Sequence, residues 1–120
     1  MASKKIPVSK IPPPVLRYEV HWVSLDPTAG KEVQKTRPCV VVSPDAMHRT
    51  GMAVVCPLTT TLHPQWAHRL QITCASKPAE IMADQIRAVS LGRFVKRIDL
   101  LTATDAQALR DLLALLYATP

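Results

Sequence analysis

The sequence predicts an α+β fold that is mainly β: a small antiparallel β-barrel with one α-helix at its C-terminal end. Short runs of alternating or β-branched residues fill the middle of the chain, and most are separated by tight connections. The C-terminal segment instead repeats leucine with the period of an α-helix. The length of 120 residues and the 48% hydrophobic content allow one globular domain with one core.

Six strands are predicted in the middle of the chain. The first alternates apolar and polar side chains and stops at the turn sequence Asp-Pro-Thr-Ala-Gly of residues 26–30. The second is β-branched, and Pro44 ends it by starting a short helical turn. The predicted strands span residues 20–25, 37–43, 52–58, 67–73, 80–84 and 94–101.

The predicted C-terminal helix begins at Thr104, which with Gln107 has the spacing of a capping box. Leucines then follow at i, i+3, i+4 and i+7, whereas Arg110 and Asp111 fall on the solvent-facing side. Packing on the barrel accounts for such a stripe without any cofactor. The leucines of the stripe are Leu109, Leu112, Leu113 and Leu116.

Residues 1–17 are predicted to form a basic, proline-rich flexible arm, and residues 18–120 the folded domain. The arm carries four basic residues and no acidic one, which leaves the domain 11 of the 15 basic residues against 9 acidic ones. The formal net charge of +6 is therefore a weak argument that the domain binds nucleic acid.

The three cysteines form no Cys-x-x-Cys motif and lie in or beside predicted strands. Buried thiols are therefore expected rather than a disulfide or a zinc site. No metal and no cofactor is predicted. The longest apolar runs, residues 52–58 and 112–118, are shorter than the ~18 residues of a membrane span, and the basic N-terminus lacks an apolar signal region. The sequence thus predicts a cytoplasmic protein without membrane contact.

An arginine stands directly before a proline at the entrance of the second strand. Since proline lacks a backbone donor, Pro38 belongs at the start of a strand, and Arg37 is then held where a loop meets a rigid scaffold. The preceding connection, residues 26–36, is longer than a hairpin requires, and long loops often carry binding residues. The third strand ends in a similar way, with Pro57-Leu58 followed by the threonines of residues 59–61.

These features occur in an order that resembles the MazF/PemK/Kid family of bacterial toxins. The family pattern begins with Asp-Pro-Thr-x-Gly-x-Glu, matched by residues 26–32, and continues with Arg-Pro before a β-branched strand, matched by residues 37–42. Ser-Pro, a short helix, Thr-Gly and Pro-x-Thr-Thr follow at residues 43–60, and Asp-Gln-Ile-Arg stands at residues 84–87. The resemblance extends from residue 20 to about residue 118.

The resemblance implies a small SH3-like barrel with a C-terminal helix that works as a homodimer. It also implies the toxin of a type II toxin-antitoxin module: a metal-independent, sequence-specific endoribonuclease that cleaves single-stranded mRNA and is held inactive by a cognate antitoxin protein. In that reaction the ribose 2′-hydroxyl attacks the adjacent phosphate, which leaves a 2′,3′-cyclic phosphate and a 5′-hydroxyl. Two other functions stay open: a CcdB-like toxin that binds DNA gyrase without catalysis, and an inactive RNA-binding barrel.

Carried over motif by motif, the resemblance implies that Arg37, Thr59 and Glu32 are the catalytic residues. A guanidinium suits this role because negative charge grows on the phosphorane oxygens, and the Thr59 hydroxyl can bind the same phosphate. Because arginine has a pKa above ~12 and accepts protons poorly, Glu32 is the better candidate for general base, with His21 as a second candidate. The residues expected to bind RNA are Thr60, Asp84, Gln85, Arg87, His21 and Trp66.

The sequence departs from the family pattern at several positions. The usual Gly-[Asp/Glu]-[Ile/Val] opening is Tyr18-Glu19-Val20 here, and Asp99 replaces a frequent glycine. Met82 replaces an arginine of Kid-like members, which favours a MazF-like site. Trp66 lies in a divergent stretch, residues 62–68, where two roles are open: stacking on an RNA base, or burial in the core or a dimer interface.

Overall fold

A computed structural model describes residues 15–25, 35–118 and 120. Within these residues the chain forms one curled antiparallel sheet and one C-terminal helix, α1, at Ala103–Tyr117. The fold class predicted from the sequence is therefore confirmed. The strands are β1 (Glu19–Leu25), β2 (Lys35–Val41), β3 (Met52–Thr59), β4 (Arg69–Cys74), β5 (Lys77–Met82), β6 (Arg87–Ser90) and β7 (Phe94–Leu100).

The strands follow the order β4-β5-β3-β2-β1-β7, and β6 pairs with β3 beside this path. The first half of β3 pairs with β6, from Met52–Ser90 to Val55–Arg87, whereas its last residues pair with β5 through Leu58–Ile81 and Thr59–Glu80. Because β3 changes partner along its length, the sheet bends there into a half-barrel. The short helical turn predicted after Pro44 is present as a 3₁₀ helix at Asp45–Thr50.

Apolar side chains are buried on both faces of the sheet. The larger cluster lies under α1 and includes Val40, Leu58 and Leu109, all at most 2% exposed. The smaller cluster lies on the other face and includes Val41 and Val55. Since neighbouring residues of β2 enter opposite clusters, this strand reads in the sequence as a continuous apolar run rather than as an alternation.

The three cysteines are free and buried, as the sequence predicts. Cys39 belongs to the smaller cluster, whereas Cys56 and Cys74 belong to the larger one. Burial raises the pKa of both the Cys39 and the Cys56 thiol to about 12, so at neutral pH these side chains are protonated apolar groups.

The helix begins two residues earlier than predicted. Thr102, not Thr104, is the N-cap: its side-chain oxygen accepts a hydrogen bond from the Asp105 backbone N–H at 3.0 Å. Both threonines have an acceptable capping residue three positions later in the sequence, and Leu101, buried directly after β7, places Thr102 at the turn into the helix. The predicted polarity of the helix is confirmed, with Leu109 and Leu112 buried and with Arg110 and Asp111 exposed.

The described end of the predicted arm contacts the domain, and residues 1–14 lie outside the described part of the chain. The buried His48 ring connects the arm to the domain. Its Nδ1–H donates a hydrogen bond to the Val15 carbonyl at 2.6 Å, so its Nε2 accepts one from the Ser43 hydroxyl at 2.7 Å. Next along the chain, Tyr18 has a left-handed φ of 71°. The tyrosine thus adopts a backbone conformation that glycine, which the family pattern described above has at this position, accepts more readily.

Among the described residues, no helix has the length and the apolar character that crossing a membrane requires.

Candidate active site

The site begins where the pairing of β2 and β3 stops. The two strands are in register from Val41–Val55 to Cys39–Pro57, and pairing ends there. If the same register continued, Arg37 would lie opposite Thr59. Prolines 38 and 57 cannot donate backbone hydrogen bonds, and the end of β3 pairs with β5 instead, so the strands separate at this point.

A cavity of about 290 Å³ occupies one side of this separation, and Arg37 and Thr59 both line it. The register of β1 and β2 holds Arg37 firmly, because it pairs with Val23, which is fully buried in the smaller cluster. The complete lining consists of Leu25, Arg37, Pro57, Thr59, His63, Trp66, Arg69, Met82, Gln85 and Arg87.

A larger groove of about 840 Å³ shares Arg37 and Thr59 with the cavity. Thr60, Lys35 and Lys77 line this groove, together with residues of the β4–β5 hairpin. The arginine and the threonine therefore stand between two recesses. A chain-like ligand that crosses from one recess to the other passes both side chains.

Two arginines of the cavity lining, Arg37 and Arg87, have no carboxylate partner among the described residues. Within the described residues, no carboxylate lies at ion-pair distance from Arg37 or Arg87. Arg69 differs, because it pairs with both Glu80 and Asp84. Arg37 and Arg87 are thus the guanidinium groups in this lining that remain for an anionic ligand such as a phosphate.

Thr59 is half-buried, and its hydroxyl oxygen accepts a hydrogen bond from the Thr61 backbone N–H at 3.1 Å. This contact uses an acceptor site of the hydroxyl and leaves its proton for donation toward the cavity. Thr59 can therefore donate a hydrogen bond to a ligand while it accepts one from the turn.

The predicted RNA-binding residues near the C-terminal end of β5 come together only in part. Asp84 and Gln85 lie on a single 3₁₀ turn, Ala83–Gln85, and Arg87 begins β6 one residue further on, after Ile86. Gln85 and Arg87 line the cavity. The Asp84 carboxylate is instead engaged by Arg69 Nε at 2.8 Å, with His68 Nε2 3.9 Å away.

The two predicted aromatic contacts have different surroundings. Trp66 lines the cavity, is 41% exposed, and stacks on the His63 ring at 3.7 Å between centroids. His21 is buried on β1, with Nε2 3.0 Å from Glu19 Oε1 and the Phe94 ring against it. The structure does not bring His21 into the lining of the cavity or of the larger groove. Glu32 lies outside the described residues.

Glu80, the most enclosed charged group of the site, was not predicted from the sequence. Its carboxylate is fully buried and accepts hydrogen bonds from the His63 backbone N–H, from Arg69 Nη1 at 2.5 Å and from Gln71 Nε2 at 2.7 Å. Burial acts to raise the pKa of Glu80, but the hydrogen bonds from Gln71, His63 and Arg69 outweigh it and hold the pKa at about 2. The available signal was a glutamate inside the apolar run Ala-Glu-Ile-Met-Ala of residues 79–83.

Met82 and Asp99, two departures from the family pattern described above, have defined surroundings in the fold. Met82 is buried and lines the cavity, and in the β4–β5 register it lies directly across from Arg69. Asp99 accepts hydrogen bonds at 2.8 Å from the Ala75 and Leu100 backbone N–H groups, which lower the pKa of its carboxyl. Among the described residues, no group of three or more histidine, cysteine or acidic side chains could hold a metal ion.

Comparison with known proteins gives the family. A family model described as PemK-like, MazF-like toxin of type II toxin-antitoxin system matches residues 16–117. The chain belongs to this family. The match includes Arg37, Thr59 and every other lining residue of the cavity.

Curated relatives of this PemK/MazF-family chain carry endoribonuclease names. It is 28% identical to "Endoribonuclease MazF9" of Mycobacterium tuberculosis over 109 residues, which covers 82% of the chain and 92% of the relative. It is 53% identical to "Endoribonuclease PemK" of Escherichia coli over 45 residues, which covers 37% of the chain and only 34% of that relative. The second match is therefore strong but local.

Solved structures establish the family fold independently. MazF from Deinococcus radiodurans superposes with a TM-score of 0.76 at 22% identity, covering 90% of this chain and 100% of the other. A structure named "Endoribonuclease in complex with its cognate antitoxin from Mycobacterial species" gives a TM-score of 0.74 at 20% identity, covering 88% and 97%. At these identities the likeness shows that the half-barrel with its C-terminal helix is the family's fold.

Proposed function

We propose that this PemK/MazF-family toxin is a metal-independent, sequence-specific endoribonuclease that cleaves single-stranded mRNA in the cytoplasm. The observation that carries the proposal is the open end of the β2–β3 ladder, where the Arg37 guanidinium and the Thr59 hydroxyl line one cavity. The endoribonuclease names of the relatives support the same reaction class.

The proposed reaction is an internal transesterification of RNA. The 2′-oxygen forms a bond to the adjacent phosphorus and gives up its proton to a base, while the bond from phosphorus to the 5′-oxygen breaks and that oxygen takes up a proton. The products are a 2′,3′-cyclic phosphate and a 5′-hydroxyl. No electrons are exchanged, so the step requires neither an oxidant nor a reductant.

Arg37 supplies the charge that this step needs. The non-bridging phosphate oxygens gain negative charge in the transition state, and a guanidinium can donate two parallel hydrogen bonds to them. The Thr59 hydroxyl donates a hydrogen bond to the same phosphate. Since Arg37 has no carboxylate partner among the described residues, it does not have to break an ion pair to bind the phosphate.

Glu32 is our proposed base, because a carboxylate accepts a proton far more readily than a guanidinium does. The recesses on either side of the phosphate hold the neighbouring nucleotides. We assign Arg87, Gln85 and Trp66 to the cavity side and Thr60 to the groove side, with Asp84 acting from behind Gln85. His21 is left out of the proposed contacts, because Glu19 and Phe94 surround it.

A homodimer and a cognate antitoxin are the proposed protein partners. Arg37 and Arg87 in the cavity, together with Lys35 and Lys77 in the groove, offer a row of cations to an acidic, extended antitoxin segment. Such a segment would cover the RNA site and block cleavage. If saturating purified antitoxin left the cleavage rate unchanged, this part of the proposal would be wrong.

The test of the function is an incubation of purified toxin with a long unstructured RNA in excess EDTA, with sequencing of the fragment ends. We expect cuts at one short motif with cyclic phosphate and 5′-hydroxyl ends. Arg37→Ala and Thr59→Ala should each reduce the cleavage rate by about 10²-fold or more, because each removes a donor to the transition state.

Matched controls are Arg49→Ala and Thr104→Ala, which delete the same side chains at exposed positions outside both recesses. These variants should cleave at the wild-type rate. Absence of cuts by folded, antitoxin-free wild type would reject the nuclease and leave DNA gyrase binding as the next activity to test.

A further inference from the structure

Arg69 forms the centre of an ion cluster that walls the cavity. Its Nη1 lies 2.5 Å from Glu80 Oε2 and its Nε lies 2.8 Å from Asp84 Oδ1, so one guanidinium holds two carboxylates from different segments. The Arg69 side chain is only 7% exposed. Because its charge is compensated and largely buried, Arg69 is poorly placed to bind phosphate itself.

The same cluster fixes the aromatic wall of the cavity. The Arg69 guanidinium carbon lies 4.8 Å from the centre of the Trp66 ring, and Trp66 stacks on His63. His63 returns to the cluster through its backbone N–H and its Nδ1, both directed at Glu80. Arg69, Glu80, His63 and Trp66 therefore form a closed ring of contacts that holds the loop of residues 62–68 against the sheet.

The other wall of the cavity depends on the same arginine. Asp84, which Arg69 binds, is the neighbour of Gln85 on the 3₁₀ turn, and the Gln85 amide is the neutral hydrogen-bonding group that lines the cavity from that turn. An amide has both a donor and an acceptor, which is the chemistry that distinguishes one base edge from another. Arg69 thus contacts both the aromatic ring and the turn that carries the Gln85 amide.

We propose that Arg69 is a positioning residue that sets base preference: it holds Trp66 and the Asp84–Gln85 turn so that the cavity accepts one kind of base beside the scissile phosphate. The inference rests on the proposed function. It extends that function to a residue that would determine selectivity without contacting the phosphate.

The deciding variant is Arg69→Lys, which keeps the charge but cannot present the planar fork of donors that reaches both carboxylates. Its kcat/KM would be measured on the RNA motif preferred by the wild type and on RNAs with each single base next to the cut replaced. We expect the ratio between preferred and replaced bases to fall by about tenfold, with kcat on the preferred motif changed by only a few-fold.

The matched control is Arg110→Lys, the same substitution at an exposed arginine whose partners are the neutral Gln107 and Tyr18 side chains. It should keep the wild-type ratio. Cleavage by the wild type tests the proposed function, whereas the ratio in Arg69→Lys tests the inference, so the two can fail separately.

A second readout does not depend on cleavage. In a Trp22→Phe background, Trp66 is the only tryptophan, because the chain has two. Titration with an RNA carrying a 2′-O-methyl group at the cut should quench its emission, and Arg69→Lys should weaken that quenching without abolishing RNA binding measured by anisotropy.

Should Arg69→Lys fail to fold, the double variant Arg69→Gln with Glu80→Gln replaces the buried ion pair by neutral amides and takes its place. A folded variant of either kind that retains the wild-type base ratio and the wild-type quenching would overturn the inference, whatever its total rate.

Discussion

At the scale of single residues, Glu80 is a negative charge kept in the interior by donors on every side. Arg69 and Gln71 approach it from β4, and His63 approaches it from the loop before that strand. Removing one member of such a group leaves the others partly unsatisfied, so the group acts as a unit.

The pH dependence of stability should report this carboxylate. Because the folded-state pKa of Glu80 is lowered from 4.5 to about 2, its contribution is fully present above about pH 5 and is lost as the pH falls toward 2. We expect Glu80→Gln to lower the free energy of unfolding by about 3 kcal/mol at pH 7. Urea denaturation at several pH values should show this difference shrinking between pH 5 and pH 2, and a constant difference would contradict the assignment.

The sequence predicted that Arg37 and Thr59 belong to one site, because family motifs fix the positions of both residues beside prolines. The contact between Arg69 and Glu80 was not predicted, because nothing in the local sequence indicates that an arginine and a glutamate eleven positions apart meet. Their contact depends on the β4–β5 register, which only the folded sheet specifies.

At the scale of elements, the capping rule predicts correctly that a threonine caps α1 but places the cap two residues too late. The sequence offers a threonine followed by a suitable residue three positions later at both 102 and 104. Tertiary structure selects the first, because β7 ends at Leu100 and the chain must turn at once toward the sheet. The strand β6 was missed for a related reason: it has four residues, and only Val89 among them is buried.

Two single substitutions measure the choice of cap. Thr102→Ala should lower the free energy of unfolding by about 1 kcal/mol, because the Asp105 N–H loses its acceptor. Thr104→Ala, two residues later and exposed, should change the free energy of unfolding by less than about 0.5 kcal/mol. Thermal denaturation followed by circular dichroism compares the two directly, and equal losses would argue against Thr102 as the N-cap.

At the scale of the whole molecule, the curled sheet brings its two ends together. β4 and β7 are the terminal strands of the sheet order, and Asp99 on β7 accepts the backbone N–H of Ala75 in the β4–β5 hairpin. Ala75 and Ser76 both have left-handed φ values, of 50° and 68°, so this contact also holds a turn that non-glycine residues adopt reluctantly. The antiparallel barrel type was predictable from the strand pattern, whereas this closure was not, because Asp99 and Ala75 are 24 residues apart and carry no local sign that they meet.

Asp99→Ala should therefore loosen the closure. We expect a loss of about 1–2 kcal/mol in the free energy of unfolding, because two backbone N–H groups lose their acceptor. Hydrogen exchange should accelerate at Ala75 and Leu100 and remain slow at Val40, in the centre of the sheet. Asp99→Asn, which retains one acceptor oxygen, should lie between wild type and Asp99→Ala, and unchanged exchange at Ala75 would refute the closure.

The buried, protonated thiols also make the molecule convenient for spectroscopy. Because Cys39 and Cys56 have pKa values of about 12 and Cys74 is 8% exposed with a raised pKa, we expect maleimide dyes to react slowly with the native cysteines of the folded chain. A single cysteine introduced at the exposed Thr61, on the rim of the larger groove, would then carry a fluorophore at one known position. Entry of an RNA strand or an antitoxin segment could be followed in real time without first removing any native cysteine.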